Sequence, residues 1–141
     1  MSENTRFHIR EIEFQDTWPI RHTAMWPDRD IDYVKLPADV EGLHYGLFIE
    51  KRLVAVVSLF VNGETAQFRK FATLPEYKGR GLGSELLRHL FQEAKSSGVK
   101  RLWCNARVDK AGFYQRFGME ETNQRFTNGG IEYVIMESHI N

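Results

Sequence analysis

The chain has 141 residues, 42% of them hydrophobic, and its 19 basic and 19 acidic side chains give a formal net charge of zero. That length suits one domain with a sizeable core, and the balanced charge excludes the basic excess of a nucleic-acid footprint. The longest apolar run, Leu53–Val61, is broken by Ser58 and too short to span a bilayer; residues 1–15 do not read as a secretory signal, and a single cysteine, Cys104, suits a reducing cytoplasm.

Phe7–Phe14 alternates apolar and polar residues, which predicts a half-buried strand. Asp16 is a candidate N-cap for a helix over about Thr17–Met25, with Pro19 near its first turn and Trp26-Pro27 as its stop. Asp28–Glu41 reads as irregular with a short helix. Leu43–Glu50 and Leu53–Val61 are predicted strands joined tightly at Lys51-Arg52. Asn62-Gly63 is the strongest hairpin signal and leads into a strand over Thr65–Leu74. Leu82, Leu86, Leu87, Leu90, Phe91 and Ala94 make a 3.6-residue stripe, and Gly98 reads as the stop of that helix. Val99–Asn105 is a further strand. Asp109 caps a short helix over Lys110–Phe117 that stops at Gly118. Met119–Thr127 and Ile131–Ser138 form a last hairpin across Asn128-Gly129.

Between the strand ending at Leu74 and the long helix stand Gly79, Gly81 and Gly83. Glycines let the backbone turn tightly and approach a ligand closely. The free N–H groups of a first helical turn and the helix dipole then favour a phosphate. Spacing excludes two familiar loops. A Walker A loop needs four residues before Gly-Lys-Ser/Thr, and no such pattern exists. In a G-x-G-x-x-G fingerprint the third glycine would fall at Ser84 or Leu86.

The segment Lys78-Gly79-Arg80-Gly81-Leu82-Gly83 resembles the pyrophosphate loop of the GNAT superfamily, the acetyl-CoA-dependent N-acetyltransferases. That family usually carries Gln or Arg where this chain has Lys78. The stretch from Leu102 to Met119 resembles the segment in which the family's fifth strand passes to a short helix bearing Phe-Tyr, here Phe113-Tyr114. The element order matches as well, from about residue 7 to residue 138. The resemblance implies an α/β (α+β) fold, a mixed, mostly antiparallel sheet of about seven strands with helices on both faces, as one domain over residues 1–141.

Acetyl transfer from a thioester to an amine needs the carbonyl held and polarised, the amine neutral, and the departing thiolate stabilised. The resemblance implies that the strand over Phe68–Leu74 splays from Val99–Asn105 and opens a slot for the pantetheine arm of acetyl-CoA. Backbone groups at Phe71, Ala72 and Thr73 would line the arm, and an N–H near Thr73 would serve the thioester oxygen. Lys78, Gly79, Arg80, Gly81, Leu82, Gly83 and Ser84 would hold the pyrophosphate, with Lys78 and Arg80 adding charge. Tyr114 matches the family's general acid toward the thiolate of CoA; a phenol titrates near about 10 and a thiol near about 8.5. The alternative for Tyr114 is a packed ring bonding a carbonyl. Asn105 matches a position that helps fix the cofactor or the strand opening, or else it satisfies a turn.

Family members with a carboxylate base on the fourth strand carry it six residues before the position of Thr73. Here that residue is Gln67, which cannot take a proton. A water relay, an amine arriving neutral, or His44, Glu50 or Glu64 are the alternatives. Asp28, Asp30 and Asp32 could attract a cationic amine or form a solvated loop, and Arg21 and His22 could suit a substrate carboxylate. No metal site is expected, since no Cys/His cluster is present. The expected activity is direct transfer of acetyl from acetyl-CoA to a primary amine of a small molecule or peptide, in the cytoplasm, without nucleic-acid or membrane partners. The rivals are a longer acyl-CoA, a non-catalytic CoA-binding module and a nucleotide-phosphate binder. Small family members often dimerise, so a homodimer stays open.

Overall fold

The computed structural model of the protein describes residues 6–140. One seven-stranded sheet runs in the order β1-β2-β3-β4-β5-β7-β6. Its strands are β1 (Phe7–Ile12), β2 (Leu43–Ile49), β3 (Arg52–Asn62), β4 (Thr65–Thr73), β5 (Arg101–Arg107), β6 (Glu120–Asn128) and β7 (Ile131–His139). Every neighbouring pair is antiparallel except β4 and β5, which are parallel. Three α-helices pack on it: α1 (Phe14–Met25), α2 (Leu82–Ser96) and α3 (Ala111–Gln115).

Register fixes which side chains share a face, because directly paired residues point the same way and neighbours along a strand alternate. Tyr45, opposite Val57, meets His89 of α2 edge-on with ring centroids 5.5 Å apart. His44, opposite Ser58, points to the other face, where Ser58 bonds Arg21 of α1. So α1 covers one face of the sheet and α2 the other. Phe91 of α2 lies 6.1 Å from Phe117, just beyond α3, which puts α3 on the α2 face.

The α2 stripe behaves as its periodicity predicts. Leu82, Leu86, Leu87, Leu90 and Ala94 are buried, and each fully buried leucine is worth about 1.5–3 kcal/mol of apolar transfer. A Schellman motif closes the helix: Gly98, at φ +85°, donates to Lys95 O, and Val99 N–H donates to Ala94 O at 3.1 Å. Val99 is therefore spent on the helix, and β5 begins at Arg101, two residues later than the apolar run suggests.

The amino-terminal boundary also moves. β1 stops at Ile12 and α1 starts at Phe14, because the Asp16 carboxylate accepts the Glu13 N–H at 3.2 Å. Asp16 thus works from inside the first turn, three residues after the capping position. Pro19 lies within α1, where it and Gln15, whose carbonyl it leaves without a helical donor, are both exposed to water. The segment after Met25 forms two short 3₁₀ turns, Ile31–Val34 and Pro37–Glu41. Among the described residues, no helix is long and apolar enough to cross a membrane.

Candidate active site

The parallel pairing of β4 with β5 covers only three residues, Thr65 to Gln67 against Arg101 to Trp103. Beyond Gln67 and Trp103 the two strands part, although β4 continues to Thr73 and β5 to Arg107. Backbone groups on the facing edges of the split strands have no partner strand there, and buried backbone polar groups demand partners. The split opens a cleft of about 980 Å³.

A β-bulge shapes the β4 wall. Val56 faces Ala72 while Ser58 faces Arg69, so β4 carries one residue more than β3 across this stretch. The extra residue is Lys70, at φ +57°, a conformation that side-chain-bearing residues rarely adopt. Phe68 and Phe71 point to the α2 face, and Arg69 and Lys70 lie on the α1 side. Phe71 stacks on Phe113 with ring centroids 6.2 Å apart, and Phe68 lies 5.8 Å from Tyr114.

Below the split, the chain makes the glycine turn. Gly79 and Gly81 sit at φ +80° and +78°, and a Cβ on either would meet open space. Gly81 N-caps α2, and the first intrahelical bond shown there is Glu85 N–H to Gly81 O. The N–H groups of the first turn are thus free to bind an anion. Gly83 packs closely instead: a Cβ there would stand 3.2 Å from the Phe71 ring and 3.7 Å from Thr73 Oγ1.

Eleven of the twelve residues expected from the sequence line this one cleft: Phe71, Ala72 and Thr73 of β4, Lys78, Gly79, Gly81, Leu82, Gly83 and Ser84 of the turn, Asn105 of β5 and Tyr114 of α3. Arg80 does not. Its guanidinium sits over the Tyr77 ring at 5.0 Å and donates to Glu76 O at 3.4 Å. Asn105 pairs with Ile135 on the α1 face, opposite to the face of Tyr114. Tyr114 is half-buried. Burial raises the pKa of its phenol, with the neighbouring Cys104 adding to the rise, so the hydroxyl keeps its proton at neutral pH. Cys104 is itself pushed up to about 12 by burial and stays a thiol.

The charge lining the cleft has one sign. Arg69, Lys70, Lys78, Arg107, Lys110 and Arg116 border it, and among the described residues no aspartate, glutamate or histidine does. None of these cations except Lys78 is foreseen from the sequence as a wall of the site, because only the splay of β4 from β5 brings them together. The α1 carboxyl end adds Met25 and Trp26, and β7 adds Ile131 and Tyr133.

The candidate bases lie elsewhere. His44 is buried, with Nδ1 bonded to Ser58 Oγ at 2.7 Å and Nε2 to Asp39 O at 2.8 Å. Glu50 and Glu64 occupy exposed hairpin turns, and Gln67 faces Trp103 where the split closes. Arg21 is wholly buried in a bidentate pair with Asp39, and His22 Nε2 bonds Arg29 O at 2.6 Å. Neither residue lines the cleft. Of the loop acids, Asp30 caps the 3₁₀ turn by accepting the Asp32 N–H, and Asp32 pairs with Lys35 at 2.8 Å.

A sheet split between β4 and β5 with a glycine turn beneath it is the arrangement that the resemblance to the GNAT superfamily implies, and comparison with known proteins agrees. The model of the acetyltransferase (GNAT) family matches residues 7–119. An uncharacterized N-acetyltransferase of Bacillus subtilis (strain 168) is 31% identical over 138 residues, covering 91% of this chain and 93% of that one. The crystal structure of the ribosomal-protein-S18-alanine N-acetyltransferase from Escherichia coli superposes with a TM-score of 0.79 at 23% identity, covering 96% and 95% of the two chains. A GNAT family acetyltransferase from Elizabethkingia anophelis, solved with acetyl-CoA bound, gives a TM-score of 0.70 at 16% identity over 95% and 98%. The chain belongs to the acetyltransferase (GNAT) family and is an acetyltransferase.

Gly83 offers a direct probe of the turn. In Gly83→Val, the added carbons must displace the Phe71 ring or fill the turn that an anion would approach. Affinity for acetyl-CoA, measured by isothermal titration, should fall about a hundredfold, near 2.8 kcal/mol. An unchanged dissociation constant would remove the turn from the binding site.

Proposed function

We propose that the protein transfers the acetyl group of acetyl-CoA to a primary amine of a small molecule or peptide by direct attack, as a single catalytic domain working in the cytoplasm. The observation that carries this reading is the split between β4 and β5, with the glycine turn at one end and Tyr114 beside it. The cofactor supplies an activated acetyl thioester. In this reading Gly79 to Ser84 offer backbone N–H groups to its pyrophosphate, and Lys78 adds a cation. Arg80 contributes through its backbone, since its guanidinium is engaged with Tyr77 and Glu76. The free edge of β4 at Phe71, Ala72 and Thr73 holds the pantetheine arm, with an N–H near Thr73 directed at the thioester oxygen. Tyr114 donates a hydrogen bond to the departing sulfur, and Asn105 borders the opening from the other face.

Thermal stability tests the cofactor assignment, because a ligand raises the melting temperature according to its concentration over its dissociation constant. Acetyl-CoA should raise it strongly and ATP little. An equal or larger rise with ATP would favour a nucleotide-phosphate binder and contradict the reading.

With no carboxylate or histidine among the described residues lining the cleft, the reading has the amine arrive neutral or lose its proton to water. The expected pH–rate profile follows the acceptor: kcat/KM rises with unit slope up to the amine's own pKa and then levels. The raised pKa of Tyr114 keeps any alkaline fall outside the neutral range. An ionisation between about pH 5 and 8 that stays fixed when the acceptor is changed would reveal an enzymatic base.

A further inference from the structure

The six cations of the cleft divide between the two faces of the sheet. Gln67 and Trp103 are paired, so they mark one face; Leu102 and Cys104 point to the other. Counting along β5 puts Asn105 and Arg107 on the α1 face, and Tyr133, paired with Arg107, joins them. Arg69, paired with Ser58, lies on that face too, and the Lys70 ammonium feels the buried Arg21 and Asp39 beneath α1. Arg69, Lys70 and Arg107 therefore belong to the side bordered by Met25 and Trp26. Lys78 belongs with the glycine turn, and Lys110 and Arg116 flank α3.

We propose that the acceptor is an amine that also carries a carboxylate or similar anionic group, held by Arg69 and Lys70 on the α1 face of the split. The inference rests on the acetyl-transfer reading above and names its substrate class. Three observations carry it. Neither Arg69 nor Lys70 has an ion-pair partner among the described residues, whereas Arg107 leans on Asp109 at 3.6 Å. The β4 bulge, with Lys70 at φ +57°, brings two consecutive cations to one side, where an unbulged strand would separate them. Among the described residues no acidic side chain lines the cleft to receive a second positive charge, and Asp30 and Asp32 are engaged with their own loop.

Burial and the neighbouring Arg21 and Arg69 lower the pKa of Lys70, an effect that Asp39 only partly offsets. A bound anion would relieve that strain. Trp26, Met25, Ile131 and Tyr133 supply an apolar wall for the body of the same molecule.

The test uses amines matched in basicity but not in charge: para-(aminomethyl)benzoate with its benzamide, and gamma-aminobutyrate with its amide. Peptides beginning Ala-Glu and Ala-Gln form a second arm, and spermidine is the polycation control. Turnover is followed by release of CoA thiol. The acidic member of each small pair should have the higher kcat/KM by about tenfold, mostly through KM. The gap should narrow with salt and close in Arg69→Gln/Lys70→Gln. Arg69→Gln alone, at an exposed side chain, gives the same reading should the double variant fold poorly. A preference confined to the Ala-Glu peptide would assign the anion to a peptide acceptor. Equal kcat/KM within every pair, a preference for spermidine, or a gap that survives both variants would overturn the proposal. Should no amine turn over, the same compounds are titrated into the acetyl-CoA-bound protein by tryptophan fluorescence. Tighter binding of the acidic members, lost in the variant, would uphold the anion site while the transfer reading fails; equal binding would overturn the site itself.

Discussion

Replacing Asp39 by alanine is expected to destabilise the protein by about 3–5 kcal/mol, read as a large drop in its urea midpoint. Arg21 is 0% exposed and Asp39 2%. Arg21 Nη1 and Nη2 donate to the two Asp39 oxygens at 2.8 and 2.9 Å, and also to Val34 O and Ser58 Oγ. Asp39 further accepts from the Trp18 indole and from the Leu36 N–H. Without the carboxylate, a guanidinium is left buried and uncompensated, which costs far more than the pair contributes over an apolar replacement. Burial alone would raise the Asp39 pKa, yet Arg21, Leu36 and Trp18 together outweigh it and hold it below 3.8. A carboxyl whose pKa is depressed on folding stabilises the protein above its unfolded pKa and loses that contribution as the pH falls through the folded one. Wild type should therefore weaken below about pH 4, and the alanine variant should lack this part of its acid dependence. A midpoint change equivalent to under about 1 kcal/mol, typical of exposed ion pairs, would contradict the buried pair. The same network ties α1 to β3, and α1 carries Met25 and Trp26 to the cleft, so a reduced acceptor affinity should accompany the loss of stability.

Tyr114→Phe should lower kcat about a hundredfold while the dissociation constant of acetyl-CoA barely changes. The ring keeps its packing against Phe68 and Phe113, so only the hydroxyl is lost. Because burial raises the pKa of this phenol, it is a proton-bearing donor at neutral pH. An interaction made only as the sulfur departs affects kcat and kcat/KM together and leaves ground-state binding alone. Unchanged turnover would return Tyr114 to a packing role.

Local signals made much of this fold legible. The leucine stripe of α2, the Asn-Gly turns after Asn62 and Asn128, and the three glycines after Lys78 each specify backbone conformation within a few residues, and the structure keeps them all. The boundaries that moved did so through hydrogen bonds that composition does not encode. Val99 reads as strand but completes the α2 stop, and Asp16 reads as a cap but bonds from within the turn. The site was legible where a motif runs along the chain, as in Lys78 to Ser84. Arg69, Lys70, Arg107, Lys110 and Arg116 come together only because β4 and β5 share three paired residues and then separate. A bulge at Lys70 leaves no trace in the alternation of side chains. His44 and Arg21 had the chemistry of site residues, but their buried partners, Ser58 and Asp39, lie 14 and 18 residues away along the chain.

The most direct measurement mixes the protein with acetyl-CoA and a panel of primary amines, follows free thiol, and identifies the product by mass spectrometry. The account predicts thiol release that depends on the amine and matches the acetylated amine mole for mole. Tight binding of acetyl-CoA with no amine-dependent release across the panel would contradict it and leave a cofactor-binding module in its place.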